Sequence, residues 1–207
     1  MKTEAVKTNL QKYYDLEAEY RSAGEKQSWK KNLRKEFCDL LSAEKKKTLL
    51  EIGAGAGQDS RFFMDSGFVV TAVDISGEMV KQCKQRDVDA FKLDFYELSS
   101  LNKKFDSVWA MNCLLHVPKS DLPRVLKNID NVLNENGLFY MGVYGGKNSE
   151  EELSDDFSEI PRFFSSYIES DVIEILQDIF TVISFEQIDG SKIDTSIDFQ
   201  SIIMRKK

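Results

Sequence analysis

The chain has 207 residues, 42% hydrophobic and 30% charged, with a formal net charge of -7. This suits one globular domain with a single sizeable core, and the acidic balance argues against nucleic acid as a partner, because phosphate-backbone binding rests on clustered Lys and Arg. One histidine, with Cys38, Cys83 and Cys113 far apart, leaves no metal-ligand spacing and reads as reduced thiols with no metal. The charged N-terminus lacks a signal-like apolar region, and no run approaches the roughly 20 apolar residues of a membrane span, so a soluble cytoplasmic protein without a membrane partner is expected.

In chain order, the first forty residues read as two helices parted at Gly24, with Leu10, Tyr13 and Tyr14 on one stripe and Leu33, Phe37, Leu40 and Leu41 on the next. Lys26 to Lys35 holds five Lys or Arg residues, at a spacing that reads as the solvated face of a helix. A strand at Thr48 to Ile52 precedes a glycine loop and a helix carrying Phe62, Phe63 and Met64, which Gly67 ends. Phe68 to Val73 is an apolar strand suited to a central parallel position, and Asp74 closes it. A third strand ends near Leu93. A fourth, Phe105 to Met111, leads into Asn112-Cys113-Leu114-Leu115-His116.

Leu122, Val125, Leu126, Ile129, Val132 and Leu133 then repeat at helical spacing, with Pro123 in the first turn and Asn136-Gly137 as the stop. Leu138 to Val143 reads as a fifth strand. The acidic stretch Glu150 to Glu159 shows no strong period and reads as a solvated loop or a lid. Ser170 is placed to cap a helix carrying Val172, Ile173, Leu176 and Ile179. Two strands, Val182 to Ile188 and Phe199 to Met204, close the chain as an antiparallel hairpin at a sheet edge. Alternating helices and strands of this kind imply an α/β layer architecture with a mostly parallel sheet.

The chemistry concentrates at Leu50 to Ser60, L-E-I-G-A-G-A-G-Q-D-S, the first strand-to-helix turn and hence the floor of the ligand crevice in an open α/β sheet. Gln58 stands where the dinucleotide pattern G-x-G-x-x-G has its third glycine, which disfavours a pyrophosphate. Glu51 would repel a pyrophosphate but attract a ligand carrying an ammonium and a sulfonium, as S-adenosylmethionine does. Asp74, about 20 residues past the loop, suits ribose hydroxyls, a role that NAD enzymes share. An NAD(P)-dependent oxidoreductase and a non-catalytic cofactor-binding protein of the same fold therefore stand as alternatives.

The ordered motifs E-I-G-A-G-A-G, V-D-I-S at Val73 to Ser76, L-D-F at Leu93 to Phe95, and F-D-S-V-W-A-M-N-C-L-L-H-V-P at Phe105 to Pro118 resemble those of class I S-adenosylmethionine-dependent methyltransferases. Tyr14 to Tyr20 is similar to the opening helix of compact bacterial small-molecule members. The resemblance implies a Rossmann-like fold in one domain, with a seven-stranded mostly parallel sheet, a C-terminal antiparallel hairpin and helices on both faces. It divides the chain into a helical cap (1–44), a cofactor-binding core (45–145), a lid or acceptor region (146–168), and a C-terminal helix and hairpin (169–207).

It also implies roles. Gly53, Ala54, Gly55 and Gly57 would let the methionine part of the cofactor pack on backbone, with Glu51 orienting the loop or the amino group. Asp74 would hold the ribose, Ile75 would lie against adenine, and Asp94 would accept from the adenine amino group beside Phe95. Asn112 would offer its carbonyl to the methionine ammonium, and Tyr14 could close over the cofactor from the N-terminal helix. The expected reaction is an in-line displacement to an O or N atom of a small molecule. His116 is the candidate general base, if the acceptor must lose a proton. Arg162 and Phe163 are candidates for the acceptor pocket, Arg162 through a carboxylate or phosphate. Asn112-Cys113-Leu114-Leu115 lacks the proline motifs of DNA methyltransferases, so Cys113 reads as an inert buried thiol.

Overall fold

The computed structural model describes residues 2–207. Two helices, α1 (Lys2–Ala23) and α2 (Ser28–Ala43), lead into β1 (Thr48–Ile52), α3 (Gln58–Asp65), β2 (Val69–Asp74), α4 (Gly77–Gln85), β3 (Asp89–Lys92) and β4 (Phe105–Met111). After them come α5 (Leu122–Val132), β5 (Leu133–Gly145), β6 (Ser149–Asp155), β7 (Ser158–Ser166), α6 (Glu169–Gln177), β8 (Phe180–Ile188) and β9 (Asp198–Lys206). Seven strands form one sheet in the order β3-β2-β1-β4-β5-β9-β8, with β6 and β7 as a separate pair. β1 pairs in parallel with both β2 and β4, while β9 runs antiparallel between β5 and β8. The expected C-terminal hairpin thus closes one edge.

Alternation along the strands sorts the core into two layers. Leu50, Ile52, Val108, Ala110, Phe139 and Met141 pack on α5 and α6, whereas Leu49, Trp109, Leu138 and Tyr140 pack on α2 and α3. Trp109 and Tyr140 stack with ring centres 3.9 Å apart, with Phe37 of α2 5.4 Å from Trp109. Gly67, at φ +93°, turns the chain out of α3 as Phe68 N–H donates to the Phe63 carbonyl at 3.1 Å.

Four local expectations need correction. Asn136-Gly137 does not stop α5: the helix ends at Val132, and Leu133 already pairs with Phe105 of β4, so both residues lie within β5 at a register shift. The Asn134 side chain donating to Asp106 at 2.8 Å draws the chain straight into the ladder. The acidic stretch is not a loop but the β6–β7 hairpin, turned where Phe157 and Ser158 N–H donate to the Asp155 carboxylate at 3.1 and 3.2 Å. Ser170 does not cap α6; Ile168 holds the cap position without a side-chain bond, and the Ser170 hydroxyl turns to Asp171. The second strand starts at Val69, which is exposed, because Phe68 is spent in the turn.

Candidate active site

The strand order reverses between β1 and β4, and a cavity of about 480 Å³ opens there at the carboxyl ends of β1, β2 and β4. Its walls include Glu51, Gly53, Ala54, Gly55, Asp74, Ile75, Asp94, Phe95, Asn112 and His116. From α1, the residues Thr3, Val6, Lys7, Leu10, Tyr14 and Arg21 form one helical stripe across it.

The three loop glycines divide their work. Gly53, Gly55 and Gly57 all have positive φ, at +64°, +54° and +79°. A Cβ on Gly53 would lie 2.3 Å from Cys113 Cβ, and one on Gly57 would lie 3.0 Å from Cys83 Sγ, so protein neighbours fill those spaces. A Cβ on Gly55 would meet nothing within 4 Å. Gly55 is the cradle that lies open; Gly57 is not part of the cavity wall and serves the approach of α3 to α4.

Asp74 is buried and accepts from Gly55 N–H at 2.8 Å and Ser76 N–H at 2.9 Å. Burial pushes its pKa up to about 6 against the pull of those two donors. Glu51 is also buried, bonded to the Ser60 hydroxyl, and burial together with nearby Asp59 raises it to about 8. Burial alone would raise Asp59 too. Instead Lys26 and Arg34, 2.5 and 2.8 Å away, hold it below the usual carboxylate range, helped by the Trp109 indole N–H at 3.0 Å. Two buried carboxylates side by side thus divide into one that stays ionised and one poised to hold a proton.

Asn112 sits at φ +58°, its N–H bonded to the Gly142 carbonyl at 2.7 Å, and its side-chain Oδ1 is buried with no partner. An orphaned acceptor in a cavity wall is costly unless a ligand supplies the donor. Asp94 does have partners: Lys7 Nζ lies 2.7 Å from one oxygen, and Tyr96 N–H donates to the other at 2.6 Å. A ligand amino group at Asp94 has to share it with α1.

His116 is buried with both ring nitrogens engaged. Nδ1 lies 2.7 Å from the Phe163 carbonyl, which can only accept, so Nδ1 carries the proton and Nε2 accepts from the Tyr14 hydroxyl at 2.7 Å. Burial lowers its pKa to about 4, with Arg162 and Arg21 adding to the effect. It is a neutral, weakly basic imidazole. Arg162 and Phe163 do not line the cavity: Phe163 packs on Val6 and Leu10 of α1, and Arg162 pairs with Asp155 and lies over the Tyr13 ring, 4.1 Å from its centre. They belong to the seam between α1 and the β6–β7 hairpin.

Residues to which the motifs assign no role also line the cavity or, like Asp15, brace its wall from outside. Asp15 accepts from the Ser76 hydroxyl at 2.6 Å and from Glu78 N–H at 3.2 Å, which ties α1 to the start of α4. Its place next to Tyr14 in the opening helix is the only sequence signal for it. Lys7 and Arg21 share the Tyr14 stripe, and Lys26 and Lys30 come from the basic run. That run is not a solvated face throughout: Lys31 and Lys35 are exposed, while Lys26, Lys30 and Arg34 turn inward.

Residues 49–137 match the family model of a methyltransferase domain. The chain has the class I methyltransferase fold. Over 103 residues it is 30% identical to a demethylmenaquinone methyltransferase of Tropheryma whipplei, a match that covers 45% of this chain and 43% of that one, so the chain spans less than half the length of that curated relative. Among solved structures it is similar to 1,6-didemethyltoxoflavin-N1-methyltransferase of Burkholderia thailandensis, with bound 1,6-didemethyltoxoflavin and S-adenosylhomocysteine (TM-score 0.72, 20% identity, 97% and 88% of the two chains). It is also similar to magnesium protoporphyrin IX methyltransferase of Synechocystis with bound S-adenosylmethionine (TM-score 0.72, 15% identity, 97% of each chain). Among the described residues no helix is long and apolar enough to cross a membrane.

Proposed function

We propose that this class I methyltransferase fold binds S-adenosylmethionine in the cavity and transfers its methyl group to a small molecule. The observation that carries the proposal is the orphaned Oδ1 of Asn112 in the wall of the same cavity as the open position at Gly55. An acceptor without a donor suits an ammonium and is useless to a pyrophosphate, which brings only acceptors. Buried Glu51 lies in the same floor and offers a pyrophosphate no positive charge, while Asp74 suits the ribose of either cofactor.

When bound, S-adenosylmethionine supplies an electrophilic methyl group on a sulfonium. Asn112 would hold the amino group, Asp74 the ribose hydroxyls, Ile75 and Phe95 the faces of adenine, and Asp94 its amino group in competition with Lys7. The stripe of α1 excludes water, and in-line transfer asks little more of a protein than alignment and dryness.

The test is a thermal-shift comparison of S-adenosylmethionine, S-adenosylhomocysteine and NAD(H), with Asp74→Ala as the control. A ligand at about 100 times its dissociation constant adds about 2.7 kcal/mol. Stabilisation by the two sulfur nucleosides, lost in the variant, is the expected result. Stabilisation by NAD(H) alone would overturn the proposal, and binding without turnover across acceptor panels would favour a non-catalytic protein.

A further inference from the structure

The inward half of the basic run has work that the cofactor reading leaves unused. Lys26 and Arg34 both pair with Asp59, but Lys30, one turn before Arg34 on α2, lines the cavity with no carboxylate within ion-pair distance among the described residues. Its ammonium instead lies 5.0 Å from the centre of the Trp29 ring and 5.7 Å from that of Tyr144. The Trp29 indole N–H is buried and likewise has no partner. Burial, with Lys26 and Arg21 nearby and Asp59 opposing them, lowers the Lys30 pKa to about 8, so at neutral pH it is a half-buried cation that an incoming anion would relieve.

A second observation agrees. Both ring nitrogens of His116 are occupied, so the one histidine of the cavity is not free to take a proton from the acceptor. We propose that the methyl acceptor is an acidic small molecule, held through a carboxylate or similar oxyanion by Lys30. The inference rests on the methyltransferase reading and names the substrate class for it. Methylation at such an anion forms an O–C bond, breaks a C–S bond whose electron pair stays on sulfur, and releases no proton. An acidic acceptor therefore needs no general base.

The probes are benzoate, phenylphosphonate and neutral benzamide, titrated at fixed ionic strength into the full chain saturated with S-adenosylhomocysteine and followed by thermal shift and calorimetry. The expected result is at least a tenfold preference for the two anions over benzamide, absent in Lys30→Met and kept in Lys30→Arg. No preference in the wild type, or one unchanged in Lys30→Met, overturns the proposal. Loss of S-adenosylhomocysteine in Lys30→Met with binding of methylthioadenosine retained assigns Lys30 to the carboxylate of the cofactor, which overturns this proposal and leaves the methyltransferase reading intact. Failure of the wild type to bind S-adenosylhomocysteine at all overturns both.

Discussion

The Tyr14 hydroxyl lies 2.7 Å from His116 Nε2, joining the N-terminal helix to the turn after β4 across 102 positions of sequence. Since Nδ1 is committed to the Phe163 carbonyl, the imidazole also bolts the β6–β7 hairpin to the same turn. His116 therefore positions three elements around the cavity. Tyr14→Phe removes the donor and leaves a buried nitrogen unpaired, at a cost of about 1–3 kcal/mol. Urea unfolding of the two proteins measures this, and equal midpoints would contradict it.

The same histidine sets a pH dependence. Its folded pKa of about 4 lies below the ordinary value of 6.5, so the unfolded chain binds more protons between those two pH values. Stability contributed by neutral His116 is present above pH 6.5 and is lost as pH falls toward 4, by on the order of 3 kcal/mol. His116→Gln should flatten this limb of the stability profile. A profile as steep as that of the wild type would show that the loss arises elsewhere.

Asp74 acts with the opposite sign. A carboxyl raised to about 6 is favoured protonated in the fold, so its contribution is full below pH 4 and lost as pH rises through 6. Asp74→Asn should gain on the wild type by on the order of 3 kcal/mol between pH 4 and pH 7.5, while its affinity for S-adenosylhomocysteine falls. Denaturant melts across that range, paired with a titration, check both halves. Such an exchange of stability for binding is common where a site must bury a charge.

The glycines should separate by variant. Gly53→Ala drives a methyl into Cys113 and should unfold the protein or cost it several kcal/mol. Gly55→Ala meets no protein atom and should cost only the left-handed backbone strain, about 1–2 kcal/mol, yet block the cofactor. Comparison of melting temperature and S-adenosylhomocysteine affinity distinguishes the two. A Gly55→Ala protein that binds normally would remove Gly55 from the site.

Much of this was legible in the sequence because the decisive elements are local. The β1 and β4 boundaries follow from apolar runs that end in polar turns, and the loop glycines stand where positive φ is required. The β6–β7 hairpin was hidden because β6 is mostly solvent-facing; its glutamates show no buried alternation, and only Phe163, Ser165 and Ser166 of β7 point to a core. The inward turn of Lys26 and Arg34 depends on Asp59 of a different helix, a tertiary pairing with no periodic signature. Arg162 and Phe163 were drawn toward the acceptor pocket by their place in the chain, but their partners lie on α1 and the hairpin. The division of the three glycines likewise depends on Cys83 and Cys113, which approach from distant segments.

The most direct measurement is a calorimetric titration of S-adenosylhomocysteine and methylthioadenosine into the wild type and Asn112→Gly. Glycine accepts the φ of +58° without strain, so the variant should fold normally and lose only the orphaned carbonyl. The account predicts that S-adenosylhomocysteine weakens about 10- to 100-fold, as for a lost hydrogen bond to a charged group, while methylthioadenosine, which lacks the amino acid, binds unchanged. Equal binding of S-adenosylhomocysteine to both proteins, or none to the wild type, would contradict it.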